Sequence, residues 1–219
     1  MLANANTVAQ QPAQSLSQQT ESQADQLIRL FNSEFQTTEQ TVLINGQQAG
    51  FAEPIYLPAS ISARQVQPYH RIVFAHGFAR SALHEIAHWC VAGKVRRQFV
   101  DFRYWYAPDG RNTAQQAAFE QVEITPQAVE WLLSLCANIE FEISVDNLSG
   151  SEPPNRLAFT QQVIQRALQR AASSWPPRAV RFGERLCAFY QTNFPQVEDF
   201  HRFGAQMLER EQQRLEEQA

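Results

Sequence analysis

The sequence is short of cysteine, of positive charge and of long apolar runs, and each shortage excludes a class of protein. Its three cysteines include no CxxC pair and cannot form an even set of disulfides, so a reducing compartment is expected. Eighteen basic residues face 22 acidic ones, which argues against a nucleic-acid-binding protein with a broad basic face. No run of about 18 apolar residues occurs, and the N-terminus lacks the regions of a secretory signal. We therefore predict a cytoplasmic protein without a membrane span.

The composition supports one hydrophobic core preceded by a tail. Of the 219 residues, 44% are hydrophobic and 11% are aromatic, which is enough to fill a sizeable core. Residues 1–22 are mainly Gln, Ala, Ser and Asn with almost no large apolar groups. Such a segment buries too little surface to offset the entropy of ordering it. We predict a disordered Gln-rich tail over 1–22 and a single domain over 23–219.

The apolar periodicity predicts an α+β fold with a small mixed sheet flanked by helices and a helical C-terminal half. An Asn45-Gly46 turn within 41–51 favours a hairpin. The extended segments are predicted at 54–60, 71–76, 100–106 and 141–148. The helices are predicted at 22–36, 80–97 and 113–123, from Pro126 to 138, and at 156–172, 178–191 and 196–217.

The sharpest motif is His84-Glu85-Ile86-Ala87-His88, an HExxH on a predicted helix. Residues four apart share a helix face, so both imidazoles can bind one metal ion. The adjacent glutamate can hydrogen-bond a metal-bound water or oxygen species, which makes Glu85 the predicted catalytic residue. Of the five histidines, four fall within residues 70–88. The alternative is that both motif histidines are ordinary core or surface residues.

A third metal ligand has to come from elsewhere in the chain, because two histidines rarely hold a metal alone. The acidic candidates are Asp101, Asp109, Glu120 and Glu123. Glu120 and Glu123 lie three apart on the next predicted helix, so one face can present both. We favour Glu120 as the ligand, with Glu123 as the alternative.

Several other side chains near the motif can be interpreted either as structural residues or as parts of the site. His76 is either a turn residue beside Gly77 or a residue that supports the ligands or contacts substrate. Lys94 and Arg97 either form a solvated helix end or bind an acidic partner. Tyr104 and Tyr106 share one face of the predicted strand and belong either to the core or to the wall of the site.

A longer pattern identifies a family. In order along the chain, from about residue 24 to about residue 190, it consists of EPIYLPA, RIVFAHGF, LHEIAHWCVAGK, VDFRYWYAPDGR, FEQVEITPQAVEWL and DNLSG. Together these strings closely resemble the bacterial elongation factor P hydroxylase family. The resemblance implies a hydroxylase that acts on the β-lysylated lysine of this translation factor. His84 and His88 match the two metal-binding histidines of the family, whereas the carboxylate is placed by argument alone.

The resemblance also implies the cofactors. Inserting oxygen into a C–H bond exceeds the chemistry of amino-acid side chains, so a redox metal is required. Two histidines and one carboxylate are typical of Fe(II) and leave positions for molecular oxygen, the expected co-substrate. The HxD…H order of 2-oxoglutarate oxygenases is absent, and 2-oxoglutarate is not predicted. Elongation factor P is the expected partner of a monomer that binds no nucleic acid directly.

Two other classes remain open at this stage. The bare HExxH favours a zinc-dependent hydrolase, a peptidase or nuclease in which Glu85 is the general base for a zinc-bound water. The remaining class is a non-enzymatic protein that binds a translation factor and holds a purely structural metal.

Overall fold

The computed structural model describes residues 21–61, 66–103, 110–145 and 155–217. Residues 1–20 of the predicted tail, together with Asp109, Tyr104 and Tyr106, lie outside the described residues. The strands within these ranges are β1 (Thr41–Asn45), β2 (Ile55–Leu57), β3 (Ser60–Ile61), β4 (Val66–Gln67) and β5 (His70–Phe74). The α-helices are α1 (Gln23–Phe35), α2 (Gly46–Ala49), α3 (Ala79–Val91), α4 (Thr113–Cys136), α5 (Arg156–Ala172), α6 (Pro177–Tyr190) and α7 (Val197–Glu217).

The predicted α+β class with a small mixed sheet is confirmed. Its main sheet has the order β1-β5-β2, with β5 parallel to β1 and antiparallel to β2. A second, two-stranded ladder joins β3 and β4. The motif helix α3 follows β5 directly, and α5, α6 and α7 form the helical C-terminal half. No helix in the described ranges has both the length and the apolarity needed to cross a bilayer.

The predicted hairpin at Asn45-Gly46 is wrong. Instead of turning back, the chain enters the single turn α2, and the Asn45 side chain caps this turn by accepting the Gln47 N–H at 3.1 Å. The partner of β1 is β5, in register from Thr41 with His70 to Asn45 with Phe74. This pairing is parallel and needs a long crossover, which a local turn signal cannot reveal.

The predicted break before Pro126 is also wrong, because α4 continues through this proline to Cys136. A proline inside a helix removes a hydrogen bond and costs about 3 kcal/mol. Most α4 residues from Glu123 onward are buried, and the helix packs on α3, α5 and α6. Burial on several sides outweighs the local preference for a break.

Three further predictions differ from the structure: one helix end and two strands. The motif helix ends at Val91 rather than Arg97, and Arg96–Gln98 forms a separate 3-10 turn. Residues 100–103 form a second 3-10 turn instead of a strand, with Asp101 and Phe102 in the left-handed region. Residues 141–145 form no strand, and Gln127 instead hydrogen-bonds both the amide and the carbonyl of Ser144. The helices predicted at 156–172, 178–191 and 196–217 are confirmed within one residue.

The buried apolar residues form one cluster that extends from α1 to α7. Around Trp89 of α3, the rings of Phe31 and Phe35 pack with centroids 5.1 and 4.9 Å away. Phe182 of α6 lies 5.5 Å from Phe31. The side of α3 that carries Trp89 is thereby fixed against α1 and α6.

The C-terminal end of α3 is bound by an arginine from α6. Arg178 Nη2 donates to the carbonyls of Cys90 and Ala92, which the end of the helix leaves without amide partners. Its guanidinium also lies 4.3 Å from the Trp89 ring centroid. Glu39 lies 3.9 Å from Arg178 and 2.8 Å from Arg97.

We expect Arg178→Ala to lower the free energy of unfolding by about 2–4 kcal/mol, because it leaves buried carbonyls and the Glu39 charge with fewer partners. Urea denaturation measures this change. Arg202→Ala is the control, because the Arg202 side chain is 63% exposed and pairs with Asp199 at the surface; it should change stability by less than about 1 kcal/mol. Equal losses in both variants would contradict the role of Arg178.

Gly46 offers a second stability test, because a Cβ at this position would lie 2.8 Å from the Phe74 carbonyl oxygen. Gly46→Ala should therefore push α2 away from β5 and cost about 1–3 kcal/mol. Gly93 has no heavy atom within 4 Å of the corresponding Cβ position, so Gly93→Ala should change stability by less than about 0.5 kcal/mol. Thermal melts of the two variants check the difference, and a Gly46→Ala protein as stable as Gly93→Ala would show that the close approach is unimportant.

Candidate metal centre

The two motif histidines lie on the face of α3 that packs along α4. Leu83, Ile86 and Ala87 are buried in the core and fix the rotation of the helix about its axis. The spacing of four residues brings the rings together, with centroids 4.7 Å apart and the two Nε2 atoms 3.1 Å apart. The His84 side chain is 27% exposed, whereas that of His88 is only 5% exposed.

The facing helix supplies two glutamates. Glu123 and Glu130 are separated by seven residues of α4, which is close to two helical turns, so both lie on the face toward α3. Glu123 Oε1 lies 3.2 Å from His88 Nε2, and Glu123 Oε2 lies 3.6 Å from His84 Nε2. On the other edge of the same ring, Glu130 Oε2 lies 2.8 Å from His84 Nδ1.

His84, His88 and Glu123 could together hold a metal ion. One ligand atom from each lies within 4.8 Å of the other two. Ligand atoms about 2.1 Å from a shared ion are separated by roughly 3–4 Å, and the distances in this cluster are of that size. The chemistry of the donors, two imidazole nitrogens and one carboxylate, suits zinc or non-haem iron.

One oxygen of the cluster also needs a partner. Glu123 Oε2 is buried and has no hydrogen bond to any of the described residues. A buried carboxylate oxygen in that state costs free energy. A cation between Glu123 and the two imidazoles would remove this cost, so the residues fit a metal.

The electrostatics of the cluster couple its members. Burial lowers the pKa of His84, but the charge and hydrogen bond of Glu130 outweigh it and raise the pKa to about 10. Burial raises the pKa of Glu123, yet the neighbouring His88 outweighs it and lowers the pKa to about 2. For Glu85 burial dominates and raises the pKa, with Glu123 and Asp101 adding to the effect. The concentration of carboxylates makes the site favourable for a cation.

Comparison with known proteins gives the site its context. The model of the family described as elongation factor P hydroxylase matches residues 30–200. The chain belongs to this family. It is 44% identical over 172 residues to the elongation factor P lysine hydroxylase of Haemophilus influenzae, an alignment that covers 78% of this chain and 92% of that relative. The family resemblance of the sequence is thereby confirmed, and the matched range contains all the side chains of the cluster.

The other carboxylates predicted for this family member lie elsewhere. Glu120, the favoured third ligand, accepts a hydrogen bond from Gln116 Nε2 at 3.0 Å and is not part of the cluster. The alternative, Glu123, is the carboxylate that joins both histidines. Asp101 accepts the backbone N–H of Tyr56 at 2.8 Å.

The predicted accessory residues are dispersed. His76 is exposed in the left-handed region, with its ring centroid 6.1 Å from that of Phe78. Lys94 is exposed beyond the end of α3. Arg97 is largely buried, pairs with Glu39 and lies 5.8 Å from the Trp89 ring centroid. Its position is that of a residue that stabilises the end of α3.

Glu130 was missed by the sequence analysis. The signal was present, since Glu130 follows Glu123 by seven residues and therefore shares its face on a continuous helix. The expected break at Pro126 placed the two glutamates on different helices and concealed this relation.

Proposed function

We propose that this protein is a metal-dependent hydroxylase that acts on the β-lysylated lysine of elongation factor P. The observation that carries the proposal is the convergence of His84, His88 and Glu123 in a chain that belongs to this family. The name of the Haemophilus influenzae relative supports the lysine of elongation factor P as the substrate.

The metal is proposed to be Fe(II), held by His84 Nε2, His88 Nε2 and a Glu123 oxygen. Two histidines and one carboxylate leave positions open for other ligands, as in non-haem iron oxygenases. When bound, the iron supplies the activation of molecular oxygen that no side chain can perform. We do not propose 2-oxoglutarate as a co-substrate.

The residues around the triad have separate tasks. Glu85 is half-buried and directly follows His84 in α3, and we assign to its carboxyl group the task of holding or transferring a proton at the site; burial raises its pKa. The carboxylates also attract the positive charge of a lysine substrate. Burial of His88 and Glu123 excludes water from the inner side of the triad.

The same observations support the remaining features of the proposal. All three cysteines are free and buried, as expected for a protein of the cytoplasm. The cluster of buried apolar residues from Ala24 to Met207 supports one catalytic domain over 23–219. We propose that this domain acts as a monomer on a protein substrate, without direct contact to nucleic acid.

A zinc-dependent hydrolase is the competing function. HExxH with a glutamate from a second helix as third ligand is the donor set of thermolysin-type peptidases. In that class Glu85 would be the general base that activates water. Metal content and the reaction product distinguish the two functions.

The first test concerns the metal ligands. We expect Glu123→Ala to bind iron at least about 10–100-fold more weakly, because it removes a ligand, and His84→Ala and His88→Ala to lose iron to a similar extent. Glu120→Ala is the matched control, since it changes the same residue type one turn earlier and should keep the metal. Elemental analysis of the purified variants and titration with Fe(II) measure the effect.

If Glu120→Ala loses the metal and Glu123→Ala retains it, the sequence-based preference for Glu120 is restored and the proposed triad is wrong. Full metal occupancy in the His84→Ala or His88→Ala variant would reject the proposed metal centre altogether.

The second test concerns the reaction. Incubation of the iron-loaded protein with β-lysylated elongation factor P, oxygen and an excess of an external two-electron reductant should raise the intact mass of the substrate by one oxygen atom, while the second oxygen atom is reduced to water. Glu85→Gln should keep the iron and retain measurable hydroxylation, because the oxygen chemistry depends on the metal. A hydrolase would lose all activity in this variant, since it lacks the general base.

Unmodified elongation factor P without the β-lysyl group is the substrate control. An unchanged mass of the β-lysylated substrate, together with tightly bound zinc and cleavage of peptides, would establish the hydrolase instead.

A further inference from the structure

We propose that Glu130 is a positioning residue that orients the His84 imidazole for metal binding. Its Oε2 atom lies 2.8 Å from His84 Nδ1, and its side chain is only 10% exposed. The inference rests on the proposed metal centre, in which His84 binds through Nε2, and it assigns a task to a residue outside the triad.

The hydrogen bond determines which nitrogen is available. An ionised carboxylate can only accept, so the proton of a neutral His84 ring must lie on Nδ1. The lone pair is then on Nε2, the atom 3.1 Å from His88 Nε2 and 3.6 Å from Glu123 Oε2. Because the two ring nitrogens are at different edges of the imidazole, Glu130 orients the ring from the side opposite Glu123.

The partners of Glu130 distinguish it from a purely structural glutamate. Within the part of the chain that the structure describes, no arginine or lysine pairs with Glu130, and His84 is its ionisable partner. Glu211 of α7, by contrast, is equally buried and pairs with Arg156 at 2.8 Å and with Arg214 at 3.1 Å. A carboxylate that is buried against a single histidine is suited to orient that histidine.

Glu123 and Glu130 are held at a fixed separation because both lie on the continuous helix α4. Between them, Gln127 donates to the Ser144 carbonyl at 2.7 Å and accepts from the Ser144 amide at 3.2 Å. This double hydrogen bond holds the middle of α4 against the 141–145 segment. One helix therefore presents both a metal ligand and the group that orients another ligand.

The experiment compares Glu130→Ala and Glu130→Gln with Glu211→Gln as the matched control. Each protein is stripped of metal, and its affinity for Co(II) and Fe(II) is measured by competition with a chelator. The visible spectrum of the Co(II) form reports the geometry of the ligands, and thermal melts of the metal-free proteins report stability.

We expect Glu130→Ala to bind either metal about 10–100-fold more weakly and to change the Co(II) spectrum. Glu130→Gln retains an oxygen that can accept from Nδ1 and should recover most of the affinity. Glu211→Gln should lower the melting temperature and leave affinity and spectrum unchanged, because it breaks an ion pair away from the metal.

Wild-type affinity and spectrum in Glu130→Ala would overturn the inference, and so would an equal loss of affinity in Glu211→Gln. If Glu130→Ala does not fold, Glu130→Leu decides, because it keeps the side-chain volume and has no acceptor for Nδ1: weaker metal binding and an altered Co(II) spectrum are expected, and wild-type affinity and spectrum would overturn the inference. These readouts need no elongation factor P, so absence of hydroxylation would reject the proposed function without deciding the role of Glu130.

Discussion

The packing of α3 against α4 is the contact on which the candidate site depends. Neither helix holds a complete set of metal ligands, since α3 carries the two imidazoles and α4 carries the carboxylate. A rotation or shift of either helix would change both distances from Glu123 to the imidazoles. The apolar residues that surround α3 on its other sides therefore contribute to metal binding, although none of them is a ligand.

The C-terminal end of α3 shows how this position is maintained. A helix end that is largely buried needs partners for its last carbonyls, and here a guanidinium from α6 provides them. The same group lies over Trp89, and Glu39 balances its charge. Residues from three distant parts of the sequence thus combine at one helix end. Arg97, which also pairs with Glu39, is therefore largely buried, whereas Lys94 remains exposed.

Elements that depend on contacts between residues close in sequence could be predicted, whereas pairings between distant residues could not. The C-terminal helices were predicted well because their apolar stripes are local patterns. The partner of β1 could not be predicted, since β5 lies 25 residues further along and the pairing depends on the crossover between them. At Asn45-Gly46, the local turn preference was satisfied by the start of α2, which the dipeptide alone does not distinguish from a hairpin.

The candidate site shows the same limit. His84 and His88 could be predicted as a pair because four residues make one helical turn. The choice between Glu120 and Glu123 depends on the rotation of α4 against α3, which no pattern within α4 determines. Glu130 was not predicted because proline normally ends a helix, and tertiary packing overrides that preference at Pro126.

The unequal exposure of the two histidines has a consequence for the shape of a substrate. Of the three triad side chains, His88 and Glu123 are almost fully covered, whereas His84 is 27% exposed. An approach to a metal among them therefore passes beside the edge of one imidazole. A single unbranched side chain has a shape suited to approach past that edge. On the proposed function, the lysine extended by a β-lysyl group would supply a side chain of that shape.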